Sequence, residues 1–71
     1  KVKNIIDANE FSEIDSDTNI IFLKGGLMTD YGVNVAGPGD IVKCSVIKKL
    51  MNVFKKVNKE TIIMTIGKLD E

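Results

Sequence analysis

The sequence contains no histidine, no arginine and no tryptophan, and only one cysteine and one proline. Cys44 has no histidine or second cysteine with which to share a metal, and it cannot close a disulfide inside the chain. Zinc sites and disulfide frameworks are therefore excluded, and a reducing, cytoplasmic setting fits. No apolar run approaches the roughly 18 residues of a membrane span, and the first residues lack the basic-then-apolar pattern of a signal peptide. A soluble chain without membrane contact is expected. Net charge is missing too: ten lysines and ten acids cancel, which removes the long-range pull of a basic protein towards nucleic acid or anionic lipid. Nucleic acid is not expected as a partner. No complete catalytic constellation is present, so no catalytic residue is named and an enzymatic role is left open.

What remains is a chain of 71 residues, 44% of them hydrophobic. That is one small domain spanning residues 1–71, and such a domain hides only about 60% of its unfolded surface. So thin a core calls for a partner, either further copies in a homo-oligomer or the remainder of a longer chain. Lys1 rather than Met at the first position fits a processed or excised piece. The charges are unevenly spread: residues 1–17 carry two lysines and five acids, residues 43–59 six lysines and no acid.

Val2 to Ile6 is short, rich in β-branched residues and bounded by Asp7, which predicts a strand. From Asp7 to Asp17 the apolar residues Ala8, Phe11 and Ile14 recur every three positions, one face of a short helix. Asp7 can cap it, with Glu10 completing a box-like pattern. Asn19 to Lys24 holds four consecutive apolar residues, Ile20 to Leu23. Without alternation, such a run predicts a central strand covered on both faces. Gly25 and Gly26 stop it, and Leu27 to Asp40 reads as a long glycine-containing loop. A helix follows from about Ser45 to Val57, capped by Asp40 or by Ser45, with Cys44, Val46, Ile47, Leu50, Met51, Val53, Phe54 and Val57 on one broad apolar arc. Thr61 to Ile66 predicts a third strand, and the tail beyond Gly67 is expected to fray. Alternation of strands and helices predicts parallel pairing, so the expected architecture is α/β, a small parallel three-stranded βαβαβ unit.

Five of the six glycines fall between Gly25 and Gly39. In a parallel α/β sheet that position is the crest where ligands bind. Gly25 and Gly26 after the strand, and Gly37 and Gly39 with Asp40 before the helix, would supply backbone N–H groups to a phosphate or carboxylate. The same glycines also serve as plain turns, and neither a full G-x-G-x-x-G nor a P-loop lysine is present. Asp30, Tyr31 and Asn34 are the loop's remaining polar groups. Cys44 reads as a buried, inert thiol, and the lysines from Lys48 to Lys59, lacking arginine and interleaved aromatics, as a solvated helix face.

The run Ile20 to Met28, with Gly25, Gly26, Leu27 and Met28 ahead of an apolar helix, resembles an uncharacterised archaeal Rossmann-like family best represented in methanogens. The resemblance covers about half the chain and departs from the family where Thr29 and Asp30 stand in place of a proline. It implies an α/β fold and a longer parent chain, and adds no catalytic residue. Val33 to Asp40 is similar to a loop of tetrapyrrole methyltransferases, which implies S-adenosylmethionine as a cofactor to test. Three functions follow as expectations. The chain is a small-molecule or anion-binding module built on Gly25, Gly26, Gly37, Gly39 and Asp40; or a structural assembly module without a ligand; or a fragment of an S-adenosylmethionine-dependent enzyme.

Overall fold

The run from Asn19 to Lys24 does form a strand, but its neighbours run against it rather than with it. A computed structural model describes residues 1–54 and 56–67. In chain order these carry β1 (Val2–Asn4), a 3-10 helix (Ala8–Glu13), β2 (Asn19–Lys24), β3 (Leu27–Met28), β4 (Asn34–Ala36), β5 (Ile41–Lys43), α1 (Cys44–Val53) and β6 (Ile62–Gly67). Four strands form one sheet in the order β1-β6-β2-β5, and β3 pairs with β4 in a second. Every pairing is antiparallel. The parallel βαβαβ unit, and with it the Rossmann-like α/β fold, is therefore corrected to a mainly antiparallel sheet with one short α-helix.

The reason lies in residues 27–40, read as a loop. They contain β3, a tight turn in which Gly32 N–H donates to the Thr29 carbonyl (3.0 Å), and β4. From β2 to β5 the chain is thus one long bent hairpin, and this reversal inverts everything after it. Because β6 is antiparallel to both β1 and β2, those two point the same way with β6 between them; β5 and β6 likewise point the same way around β2. Two crossovers, β1 to β2 through the 3-10 helix and β5 to β6 through α1, are each split by a strand of the other, a split β-α-β arrangement.

The short helix starts as its sequence requires. The Asp7 carboxylate accepts from Asn9 N–H and the Glu10 carboxylate from Asp7 N–H, closing a capping box. It is a 3-10 rather than an α-helix, and the three-residue spacing of Ala8, Phe11 and Ile14 is the 3-10 period. α1 differs from expectation at both ends. It begins at Cys44 directly after β5, with Lys43 at the cap position and no side-chain cap from Asp40 or Ser45. Instead the Thr18 carbonyl accepts from Cys44 N–H (2.8 Å) and the Ser16 carbonyl from Ser45 N–H (2.9 Å). It ends at Val53, and Val57 pairs with Leu27 instead of extending the helix. The tail expected to fray lies outside the described residues.

One face of the sheet carries the core. Ile20, Phe22 and Ile63 meet Phe11 of the 3-10 helix and Cys44 and Ile47 of α1, with Ile5, Leu27 and Ala36 completing the cluster. The rings of Phe11 and Phe22 lie 6.5 Å apart at a tilted 56°. Lys48 fastens the helix to the preceding segment, donating from Nζ to the Ile14 carbonyl and to Ser16 Oγ, both at 2.8 Å.

Candidate functional site

The glycines named from the sequence do come together, as an elbow. At this point the β2–β5 ribbon bends into the β3–β4 hairpin, with Gly25, Gly26 and Gly39 at positive φ (70°, 144° and 89°). A Cβ on Gly26 would lie 1.9 Å from the Ala36 carbonyl oxygen, and one on Gly25 would lie 2.6 Å from Thr61 Oγ1. These two positions demand glycine because other parts of the chain occupy the space a side chain would take. Thr61, fully buried, is the residue that sequence reasoning missed. Its Oγ1 accepts from Gly26 N–H (2.9 Å) and donates to the Asn58 carbonyl (2.7 Å), while Asn58 N–H donates to the Gly26 carbonyl (2.9 Å). A threonine at the start of a β-branched strand gives no signal that its hydroxyl is needed elsewhere.

These bonds bear directly on an anion cradle. Gly26 N–H is committed to Thr61, Gly37 N–H to the Asp40 carboxylate (2.8 Å) and Gly39 N–H to the Phe22 carbonyl (2.7 Å). Asp40 therefore supplies its own negative charge to the turn where a ligand's charge would have to sit, and like charges at that range repel. Asp30 and Tyr31 lie on the hairpin tip, with Tyr31 95% exposed, whereas Asn34 opens β4 and its Nδ2 would lie 3.6 Å from a Cβ on Gly37. Two surface depressions, of about 320 and 370 Å³, are lined by Lys1, Val2, Lys3, Ile14 and Thr65, and by Asp7, Ala8, Asn9, Met51 and Asn52. Neither includes a residue of the elbow. Among the described residues no group of three or more His, Cys, Asp or Glu is placed to hold a metal. No helix there is long and apolar enough to cross a membrane. Cys44 is buried with its Sγ near the Phe11 carbonyl (3.7 Å), and burial pushes its pKa up, only partly offset by Lys48.

The other distinctive surface is the outer face of the four-stranded sheet. Register opposes Val2 to Met64, Met64 to Ile21, and Ile21 to Ile41, a row of apolar residues running across all four strands. Paired residues share a face, so by alternation Ile62 and Ile66 of β6 and Leu23 of β2 lie on it too. Val2, Ile41 and Leu23 are 61%, 52% and 44% exposed, and none of the seven belongs to the core cluster. An antiparallel sheet with one solvated face normally makes that face polar; here its central row is apolar, with Asn4 and Lys24, both opposite Ile62, and Lys43, two residues from Ile41 on β5, at its margins, and it carries no element of the described chain. The expectation that Ile20 to Leu23 would be covered on both sides is corrected: Ile20 and Phe22 are fully buried, Leu23 is not.

No family model matches the chain, and neither do the curated proteins or the solved structures searched. The geometry of the elbow and of the bare face carries the functional reading by itself.

Proposed function

We propose that this chain is an assembly module that builds its core on one face of a small sheet and keeps the other face for a protein partner. The observation that supports it is the uncharged row Val2–Met64–Ile21–Ile41, continuous across four strands, exposed at Val2 and Ile41 and half-buried between them. Contiguous apolar surface of several hundred Å² marks an interaction site on a water-soluble domain. The chemistry of the face narrows the partner. It has no aromatic side chain on which a base could stack and no arginine to hold a backbone phosphate, which disfavours nucleic acid. Its two lysines, Lys24 opposite Ile62 and Lys43 on β5, fall short of the basic cluster that anionic lipid requires. The anion-binding reading draws less support, because three of its four glycine N–H groups already have acceptors and Asp40 occupies the turn.

The test is a photo-cross-linking residue at position 64, in the centre of the face, compared with one at Lys49 on the exposed side of α1. In cells making the chain, position 64 is expected to yield a discrete protein adduct that position 49 does not. Equal labelling from the two positions, or none from position 64, ends the assembly reading.

A further inference from the structure

The four-stranded sheet has an internal two-fold symmetry. Ile21 of β2 lies opposite Met64 of β6 at its centre. A half-turn about that pair places β2 (Asn19–Lys24) on β6 (Ile62–Gly67) and β5 (Ile41–Lys43) on β1 (Val2–Asn4), residue for residue, because Ile41 stands opposite Ile21 just as Val2 stands opposite Met64. The fully buried Ile20 and Ile63 exchange places in the same turn, and they alone are the same residue in both halves. Each half is thus a three-residue edge strand, a helical segment and a six-residue central strand. The two interleave as the subunits of a two-fold dimer would.

Neither half makes a sheet of its own. Within each, the edge strand and the central strand are held apart by a strand of the other half. Among the described residues, all four ladders join a strand before Tyr31 to a strand after it. Other contacts divide the same way: Ile5 N–H donates to the Thr61 carbonyl (2.9 Å), Lys48 Nζ donates to the Ile14 carbonyl, and Phe11 shares the core with Cys44 and Ile47. The covalent link between the halves stands apart from all this. It turns over at Tyr31, which is 95% exposed, and no residue between Leu27 and Ala36 belongs to the core cluster. We infer that the chain is a pair of complementary half-domains meeting at Tyr31, each the binding partner of the other, and that the hairpin tip is a tether whose continuity the fold does not need. A short flexible tether supplies an effective concentration of millimolar order rather than contacts. The tip is therefore a site at which the chain accepts a proteolytic cut or an insertion and stays assembled. This goes beyond the assembly reading and does not depend on the outer face of the sheet.

A recognition sequence for a specific protease, inserted after Tyr31 in the full chain, tests it. Before cutting, the insertion should lower the melting temperature only slightly, because the cost of closing a loop grows slowly with its length. After cutting, the two pieces should elute together at about 1 mM, separate in urea, and regain the circular-dichroism spectrum of the uncut chain when the urea is removed. The melting temperature of the cut chain should then rise with concentration while that of the uncut chain stays fixed, because folding has become an association. An insertion that unfolds the uncut chain overturns the inference, as does a cut chain that is unfolded or separated at about 1 mM. A cut chain whose melting temperature ignores concentration overturns it too, since one piece would then be folding alone.

Discussion

The two faces of the central sheet are made from the same residue types and have opposite fates. Ile20, Phe22 and Ile63 point one way and are fully buried, whereas Ile21, Leu23 and Met64 point the other way and retain solvent contact. An unbroken apolar run is therefore not proof that a strand is covered twice within its own chain. It marks two apolar faces, of which the described chain covers one.

The sharpest way to break this comparison is to truncate one side chain on each face. Phe22→Ala should cost about 3–5 kcal/mol, most of the stability of a small domain, whereas Ile21→Ala should cost less, about 1–2 kcal/mol, because its side chain keeps part of its solvent contact. Urea denaturation measures both, and equal losses would mean that the two faces are equally buried. The elbow offers a parallel contrast among glycines. Gly26→Ala meets both a positive φ and the Ala36 carbonyl and should lose about 2–4 kcal/mol. Gly39→Ala, also at positive φ but with nothing within 4 Å of its new Cβ, should lose only about 1 kcal/mol. If Gly39→Ala proves the worse of the two, close packing is not what fixes the bend.

Thr61→Val keeps the shape and removes the hydroxyl, leaving Gly26 N–H without its acceptor, for an expected loss of about 1–3 kcal/mol. A neutral result in thermal unfolding would mean that water replaces the bond. The smallest effect belongs to Cys44. Its folded pKa is raised by burial, so in alkali the unfolded chain gives up the thiol proton first. Stability is then unaffected below the free-thiol value of about 8.5 and falls as pH rises above it. Cys44→Ala should flatten that alkaline decline; a slope that survives the substitution belongs to other groups.

Much of the element content was legible in the sequence, and the reason the topology was not is specific. The bounds of β2, the Asp7–Glu10 capping box and the buried thiol followed from local chemistry that tertiary contacts did not override. The hairpin from Leu27 to Ala36 was missed because β3 and β4 are two and three residues long, too short for alternation to register against Gly32, Gly37, Pro38 and Gly39. One unseen reversal was enough to turn antiparallel partners into apparently parallel ones. The elbow glycines were found by position, yet their backbone hydrogen bonds depend on Thr61 and Asp40, whose orientation no local pattern encodes. The bare face left one usable trace: β6 and β2 are apolar at both parities, while the described residues offer only two short helical segments to cover them.

The missing side-chain cap on α1 has a bearing on how the molecule assembles itself. Ten residues is shorter than the roughly 12–15 at which isolated helices become even marginal in water, and the acceptors for its first amides are the carbonyls of Ser16 and Thr18. The helix is thus started by a part of the chain that precedes it by some thirty positions, and it has no autonomous life. A peptide spanning residues 41–54 should be a random coil by circular dichroism. In the intact chain the amides of Cys44 and Ser45 should exchange with solvent only when the sheet opens, so that helix and sheet form and dissolve as one cooperative unit.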